Sequence, residues 1–152
     1  RIRDGAARLG LSNIRTELQD ASVCREEWKD SADVVLCDVP CSGLGIIRKK
    51  PEIRFKNPDE IRTLPEIQAR ILANCAQYVK KGGTLVYSTC TILQRENEDV
   101  VRAFLTENPE FEAVSWTHPV CGERADGMVT LLPPVHNTDG FFIAKLHRKS
   151  GE

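Results

Sequence analysis

Residues 32–45 read "ADVVLCDVPCSGLG": an unbroken apolar run, then an acid, a proline and a cysteine ahead of two glycines. The run "ADVVLCD" predicts a strand of the kind buried on both faces of a parallel sheet. Further along, "GGTLVYSTC" at residues 82–90 predicts a second strand that also ends on a cysteine. Between the two, Pro65 suits the first turn of a helix, and Ile67, Ile71, Cys75 and Tyr78 recur at near-helical spacing. The "KKGG" at 80–83 then supplies a cationic last turn with a glycine stop.

Working outward, Ile2, Ala6 and Leu9 predict a first helix stopped by Gly10, and "NIRTEL" (13–18) a short strand ending at Asp20. Residues 94–107 carry an amphipathic helix through Val100, Val101, Phe104 and Leu105. "FEAVSW" (111–116) and "GFFIAKLHR" (140–148) predict two last strands, with a long loop rich in Gly and Pro between them. Strands alternating with helices imply an α/β fold with a largely parallel sheet. The last two strands lack an intervening helix, so the sheet should end in an antiparallel edge hairpin.

Composition sets the outer bounds. The chain has 152 residues, 41% hydrophobic and 28% charged, the make-up of one ordinary globular domain. No apolar run approaches the roughly 18 residues that span a bilayer. The opening "RIRDGAARLG" lacks the apolar core of a signal peptide and has no initiator Met, which reads as a fragment of something longer. Six cysteines without a secretory signal point to a reduced, cytoplasmic compartment. There is no C-x-x-C pair, and His118, His136 and His147 are scattered, so no metal site is expected. The net charge of −1 excludes a chain that binds nucleic acid by bulk charge. One segment is basic, however: "IIRKKPEIRFK" (46–56) sets Arg48, Lys49, Lys50, Arg54 and Lys56 against Glu52 alone. It is a solvated loop or a phosphate-contacting patch.

The functional argument rests on position. In doubly wound sheets the C-terminal strand ends line the ligand crevice. Asp38, Cys41 and Cys90 should therefore converge, although each cysteine alone suits a small buried side chain. Carbon C5 of a pyrimidine is a poor nucleophile, and adding a thiolate to C6 turns the ring into an enamine reactive at C5. A nearby carboxyl can stabilise the charge that develops. Methylation of an exocyclic amine would need no cysteine, so two thiols favour carbon as the acceptor. No G-x-G-x-x-G-like turn is present, and a basic run instead of a helix start follows Gly43 and Gly45. The chain thus reads as beginning after a cofactor loop.

"DVPCSGLGIIRKKPEIRF" (38–55), "GGTLVYSTCTILQRENEDVV" (82–101) and "DGFFIAKL" (139–146) strongly resemble the RNA cytosine-C5 methyltransferases. The resemblance covers nearly the whole chain and implies an incomplete Rossmann-like fold dependent on S-adenosylmethionine. Residues 1–152 would form the C-terminal part of a catalytic domain. It implies Cys90 as nucleophile, Cys41 as the group aiding product release, and Asp38 as a contact to cytosine. Asp20, Asp38 and Pro40 would face the cofactor, and Arg48 and Lys49 the RNA. The implied substrate is small-subunit (16S) ribosomal RNA; a tRNA cytosine-C5 methyltransferase and a catalytically silent RNA-binding module are the other readings. Without the glycine-rich loop, the chain alone should bind cofactor weakly and be inactive. An exposed edge on the Cys37 strand should invite self-association. Trp28 and Trp116 suit packing, His136 borders the last loop where RNA could approach, and Glu96 and Asn97 read as the start or cap of a helix.

Overall fold

A computed structural model describes residues 1–151. The elements are α1 (Ile2–Arg8), β1 (Ala32–Asp38), α2 (Pro58–Tyr78), β2 (Val79–Thr89), α3 (Glu98–Glu107), β3 (Phe111–Ala113), β4 (Trp116–His118), β5 (Gly122–Arg124), β6 (Met128–Leu131), α4 (Pro133–His136) and β7 (Phe141–Arg148). In the main sheet β1 pairs parallel with β2, and β7 pairs antiparallel with β2. On its far side β7 pairs antiparallel with both β3 and β6, so the antiparallel ending is present, with β3 and β6 forming that edge. The β4–β5 hairpin is a separate ribbon.

Helices α2 and α3 pack together on one face of this sheet. Tyr87, Leu85, Phe142, Leu146 and Leu72 are completely buried between the layers, each worth about 1.5–3 kcal/mol relative to exposure. The expectation that β1 is buried on both faces is overturned. Cys37 is 2% exposed, whereas Val34 and Leu36, whose side chains alternate with it, are 64% and 68% exposed. The helices cover only one face, and period-two alternation sends every second residue to the other.

Four further expectations change. Helix α2 starts at Pro58, where Asn57 accepts a bond from the Asp59 N–H and Asp59 and Glu60 occupy the first turn. That is a complete N-terminal signal, and it leaves Pro65 inside the helix. "KKGG" is not a helical last turn: the helix ends at Tyr78, and residues 79–83 are a bulge, the pairing shifting from Ala32↔Val79 to Val34↔Thr84. "NIRTEL" forms no strand. Its Leu18 is fully exposed and no neighbouring strand pairs with it, so nothing compensates the cost of ordering it. The following turn is instead tied to α2, as Asn74 Nδ2 donates to the Ala21 and Val23 carbonyls and the Arg25 N–H donates to the Tyr78 hydroxyl. Finally, "FEAVSW" stops pairing at Ala113, and the Gly/Pro-rich loop contains β6. Among the described residues β1 has β2 as its only strand partner, leaving its other edge open.

Candidate functional site

Strand β1 ends at Asp38 and β2 at Thr89, in register, with Asp38 opposite Ser88. The chain beyond each end turns toward the other. The Cys41 and Cys90 sulfurs lie 3.1 Å apart, and the Cys90 N–H also donates to Cys41 Sγ at 3.3 Å. Both thiols are half-buried and open into one cleft of about 360 Å³, whose wall includes Ile53, Lys50, Lys56 and Glu52. Two larger hollows, about 440 and 410 Å³, run along α1 and contain no thiol, so size does not mark the chemistry. Burial, and then the bond shared with Cys90, push the Cys41 thiol up to about 12. Cys41 is therefore a neutral thiol at physiological pH.

The backbone around each cysteine is held from the interior. Gln68 Nε2 donates to the Pro40 carbonyl at 3.0 Å, and the Ser42 N–H donates to Glu96 Oε2 at 2.9 Å. The hydroxyls of Ser42 and Thr91, the residues that follow the two cysteines, are 2.8 Å apart. Asn97 accepts from the Thr89 hydroxyl at 2.6 Å and donates to the Thr91 carbonyl, clamping the chain on both sides of Cys90. The Gly45 N–H donates to the Cys90 carbonyl, and the Gly140 N–H donates to the Gly45 carbonyl at 2.7 Å. Gly45 is needed there: a Cβ would sit 2.0 Å from the Gly140 oxygen.

The other candidates are spread around this centre. Asp38 is exposed at the strand end, its Oδ1 accepting from Ser88 Oγ at 2.9 Å. Pro40 is exposed one residue before Cys41. Asp20 lies on an exposed turn away from the cleft wall, and bonds from the Ser22 hydroxyl and N–H hold its carboxyl below the usual aspartate range. Arg48 and Lys49 both reach the buried Asp139 carboxylate, at 3.2 and 2.5 Å. The cations on the cleft wall are instead Lys50 and Lys56, and Lys56 donates to the Ser42 carbonyl at 2.8 Å. His136 caps its own turn by accepting the Leu132 N–H. Trp28 packs edge-on against Tyr78, and Trp116 donates to the Gly127 carbonyl. Glu96 does not cap α3 but is completely buried, and Asn97 sits at the N-cap position without a side-chain cap bond. Gln68, Ser42 and Glu96 escape a sequence reading as site-building residues because their polarity reads as surface until the fold is known.

A model of the 16S rRNA methyltransferase RsmB/F family matches residues 1–147. The chain belongs to this family. Among its RsmB/F relatives, a probable ribosomal RNA small subunit methyltransferase B of Bacillus subtilis is 43% identical, over 97% of this chain and 35% of the relative. The methyltransferase B of Thermus thermophilus is 40% identical, over 97% and 36%. A methyltransferase F of Shewanella loihica is 34% identical, over 91% and 30%. The chain thus spans about a third of the length of these curated relatives. Among solved structures, PH0851 superposes with a TM-score of 0.90 at 36% identity, over 97% of this chain and 34% of that one. NSun6 from Pyrococcus horikoshii, crystallised with the S-adenosylmethionine analogue SFG, gives 0.77 at 25% identity, over 99% and 38%. These neighbours make the RsmB/F chain a Rossmann-like fragment of the methyltransferase type.

Proposed function

We propose that this chain is the C-terminal catalytic part of an enzyme that methylates C5 of a cytosine in small-subunit ribosomal RNA, using S-adenosylmethionine. The observation that carries this reading is the pair of sulfurs 3.1 Å apart in one cleft, of which Cys41 is held neutral. The resemblance of the Thr-Cys motif to the RNA cytosine-C5 methyltransferases assigns Cys90 the attack on C6 of the ring, as its thiolate, with the Cys41 thiol in contact beside it. The resulting bond makes C5 an enamine carbon; after methylation, water in the open cleft takes the C5 proton, the freed electron pair re-forms the C5=C6 bond, and the C6–S bond breaks to release the Cys90 thiolate. Cys41, in contact with that sulfur, assists release by stabilising the departing thiolate through its S–H. Asp38, fixed by Ser88, hydrogen-bonds the polar edge of the cytosine. Lys50 and Lys56 face the same cleft and suit flanking phosphates; Arg48 and Lys49, exposed while paired with Asp139, are the further RNA contacts of this reading.

For the cofactor, Asp20, Asp38 and Pro40 are the residues of this chain that would hold it. The exposed carboxylates of Asp38, at the end of β1, and of Asp20, on its turn, suit a ligand rich in N–H and O–H donors such as adenosine. Its contribution when bound is an electrophilic methyl group. The names of the curated relatives favour ribosomal RNA over tRNA as substrate.

The test uses the chain extended to the full length of its relatives, with Cys41→Ala, ribosomal RNA and S-adenosylmethionine. Addition proceeds and elimination stalls, so a protein–RNA adduct that survives denaturation should accumulate, and replacing Cys90 as well should abolish it. An adduct that needs Cys41 and ignores Cys90 refutes the assignment. A parallel incubation with tRNA separates the two substrates.

A further inference from the structure

Glu96 and Gln68 form a polar pair beside the cleft, each 0% exposed, and neither belongs to the reacting groups. Glu96 Oε2 accepts two bonds, from the Ser42 N–H at 2.9 Å and from Gln68 Nε2 at 3.0 Å. The same Gln68 nitrogen donates to the Pro40 carbonyl at 3.0 Å. The peptide groups on both sides of Cys41 therefore end on one carboxylate–amide unit. Its anchors are independent of the loop. Gln68 sits on α2, and the Glu96 carbonyl accepts the Tyr87 hydroxyl of β2 at 2.6 Å. A carboxylate is the stronger acceptor for a backbone N–H. Burying it is unfavourable unless it is well bonded, and here Glu96 Oε1 and Gln68 Oε1 accept no hydrogen bond from the described residues. A stability role alone would be served as well by an apolar pair.

We infer that Glu96 and Gln68 are positioning residues for Cys41: they hold the Pro40–Ser42 loop so that the Cys41 thiol stays against the Cys90 sulfur during product release. This rests on the covalent mechanism proposed above. Since Cys90 is clamped separately by Asn97, loss of the Glu96 unit should affect Cys41 and spare Cys90.

The experiment compares Glu96→Ala, Glu96→Gln, Gln68→Leu and Cys41→Ala in the chain extended to full length, with ribosomal RNA and S-adenosylmethionine. Glu96→Ala and Gln68→Leu should form the Cys90 adduct but resolve it on the order of tenfold to a hundredfold more slowly, the range expected when a reacting group is misplaced by an ångström. Glu96→Gln keeps an acceptor for Ser42 and should restore release. A general structural defect would instead lower adduct formation itself, and that result in a variant with parental circular dichroism overturns the inference. Adduct in Cys41→Ala but normal turnover in both Glu96→Ala and Gln68→Leu also overturns it. Absence of adduct in Cys41→Ala counts against the covalent reading. A second measurement still decides the positioning role in that case: iodoacetamide labelling mapped by mass spectrometry should be faster at Cys41 in Glu96→Ala and unchanged at Cys90. Unchanged labelling at Cys41 refutes it. Gln68→Leu keeps the side-chain volume and decides the matter should Glu96→Ala not fold.

Discussion

Replacing Gly45 by alanine tests the closest backbone approach in the site. The new Cβ would lie 2.0 Å from the Gly140 oxygen and 2.5 Å from its carbonyl carbon, whereas ordinary contact begins at 3.4 Å. The two backbones must separate by about 1.4 Å, the difference between those distances. Both atoms belong to main chain, so no rotamer change relieves the clash. Separation breaks the Gly140 N–H bond to the Gly45 carbonyl and strains the Gly45 N–H bond to Cys90. Overpacking costs about 1–3 kcal/mol and the lost bond about 0.5–1.5 kcal/mol, for a total of about 1.5–4.5 kcal/mol. The matched control is Gly5→Ala in α1, where a Cβ meets nothing within 4 Å; it should be neutral or stabilise by a few tenths of a kcal/mol, as about 0.4–1 is usual for relieving a glycine. Urea titration of both variants gives the comparison, provided the slope is unchanged. Cys90 should also alkylate faster in Gly45→Ala, because its carbonyl tether is loosened. A Gly45→Ala stability within about 0.5 kcal/mol of the parent, the scatter of innocuous surface changes, would refute the reasoning.

Leu72→Ala should cost about 2–5 kcal/mol in the same titration, since Leu72 is fully buried between α2 and the sheet, while Leu18→Ala at a fully exposed position should change stability by less than about 0.5 kcal/mol. Lys49 foremost, with Arg48, holds the Asp139 carboxyl below its ordinary 3.8. A depressed value means the stabilisation is present above 3.8 and lost as pH falls through the lower folded value; the advantage of the parent over Asp139→Asn should shrink on acidification and with added salt, read as unfolding midpoints. For Cys41 the sign is opposite. Its thiol is raised from 9.0 to about 12, so its contribution is intact below 9.0 and lost as pH rises toward 12, and Cys41→Ser should flatten the alkaline limb of the stability profile.

Several features were legible because they are local. Asn57-Pro58-Asp59-Glu60 carries a cap, a first-turn proline and two first-turn acids, and these local signals outweigh the lone Pro65 seven residues later. The runs at 32–38 and 84–89 are strands on their own composition. Others depended on distant partners. Strand β6 is a short segment in a Gly/Pro-rich stretch that becomes a strand because β7 offers it an edge. "NIRTEL" has strand-like composition and stays irregular because no edge reaches it. Glu96 lies in "QRENED", where its charge reads as a solvated helix start; only the packing of α2 against the turn after Cys90 buries it under the Ser42 N–H.

By itself, then, the sequence determined the central strand–helix–strand unit, the placing of Cys41 and Cys90 just beyond two parallel strand ends, and the family. These follow from hydrophobic periodicity and short motifs, which act over a few residues. The tertiary structure alone decided that the two sulfurs meet 3.1 Å apart, which cations are occupied by Asp139 and which face the cleft, and what fixes the Cys41 loop. Those properties come from burial and from hydrogen bonds between residues far apart in the chain, and neither exists until the helices close over the sheet.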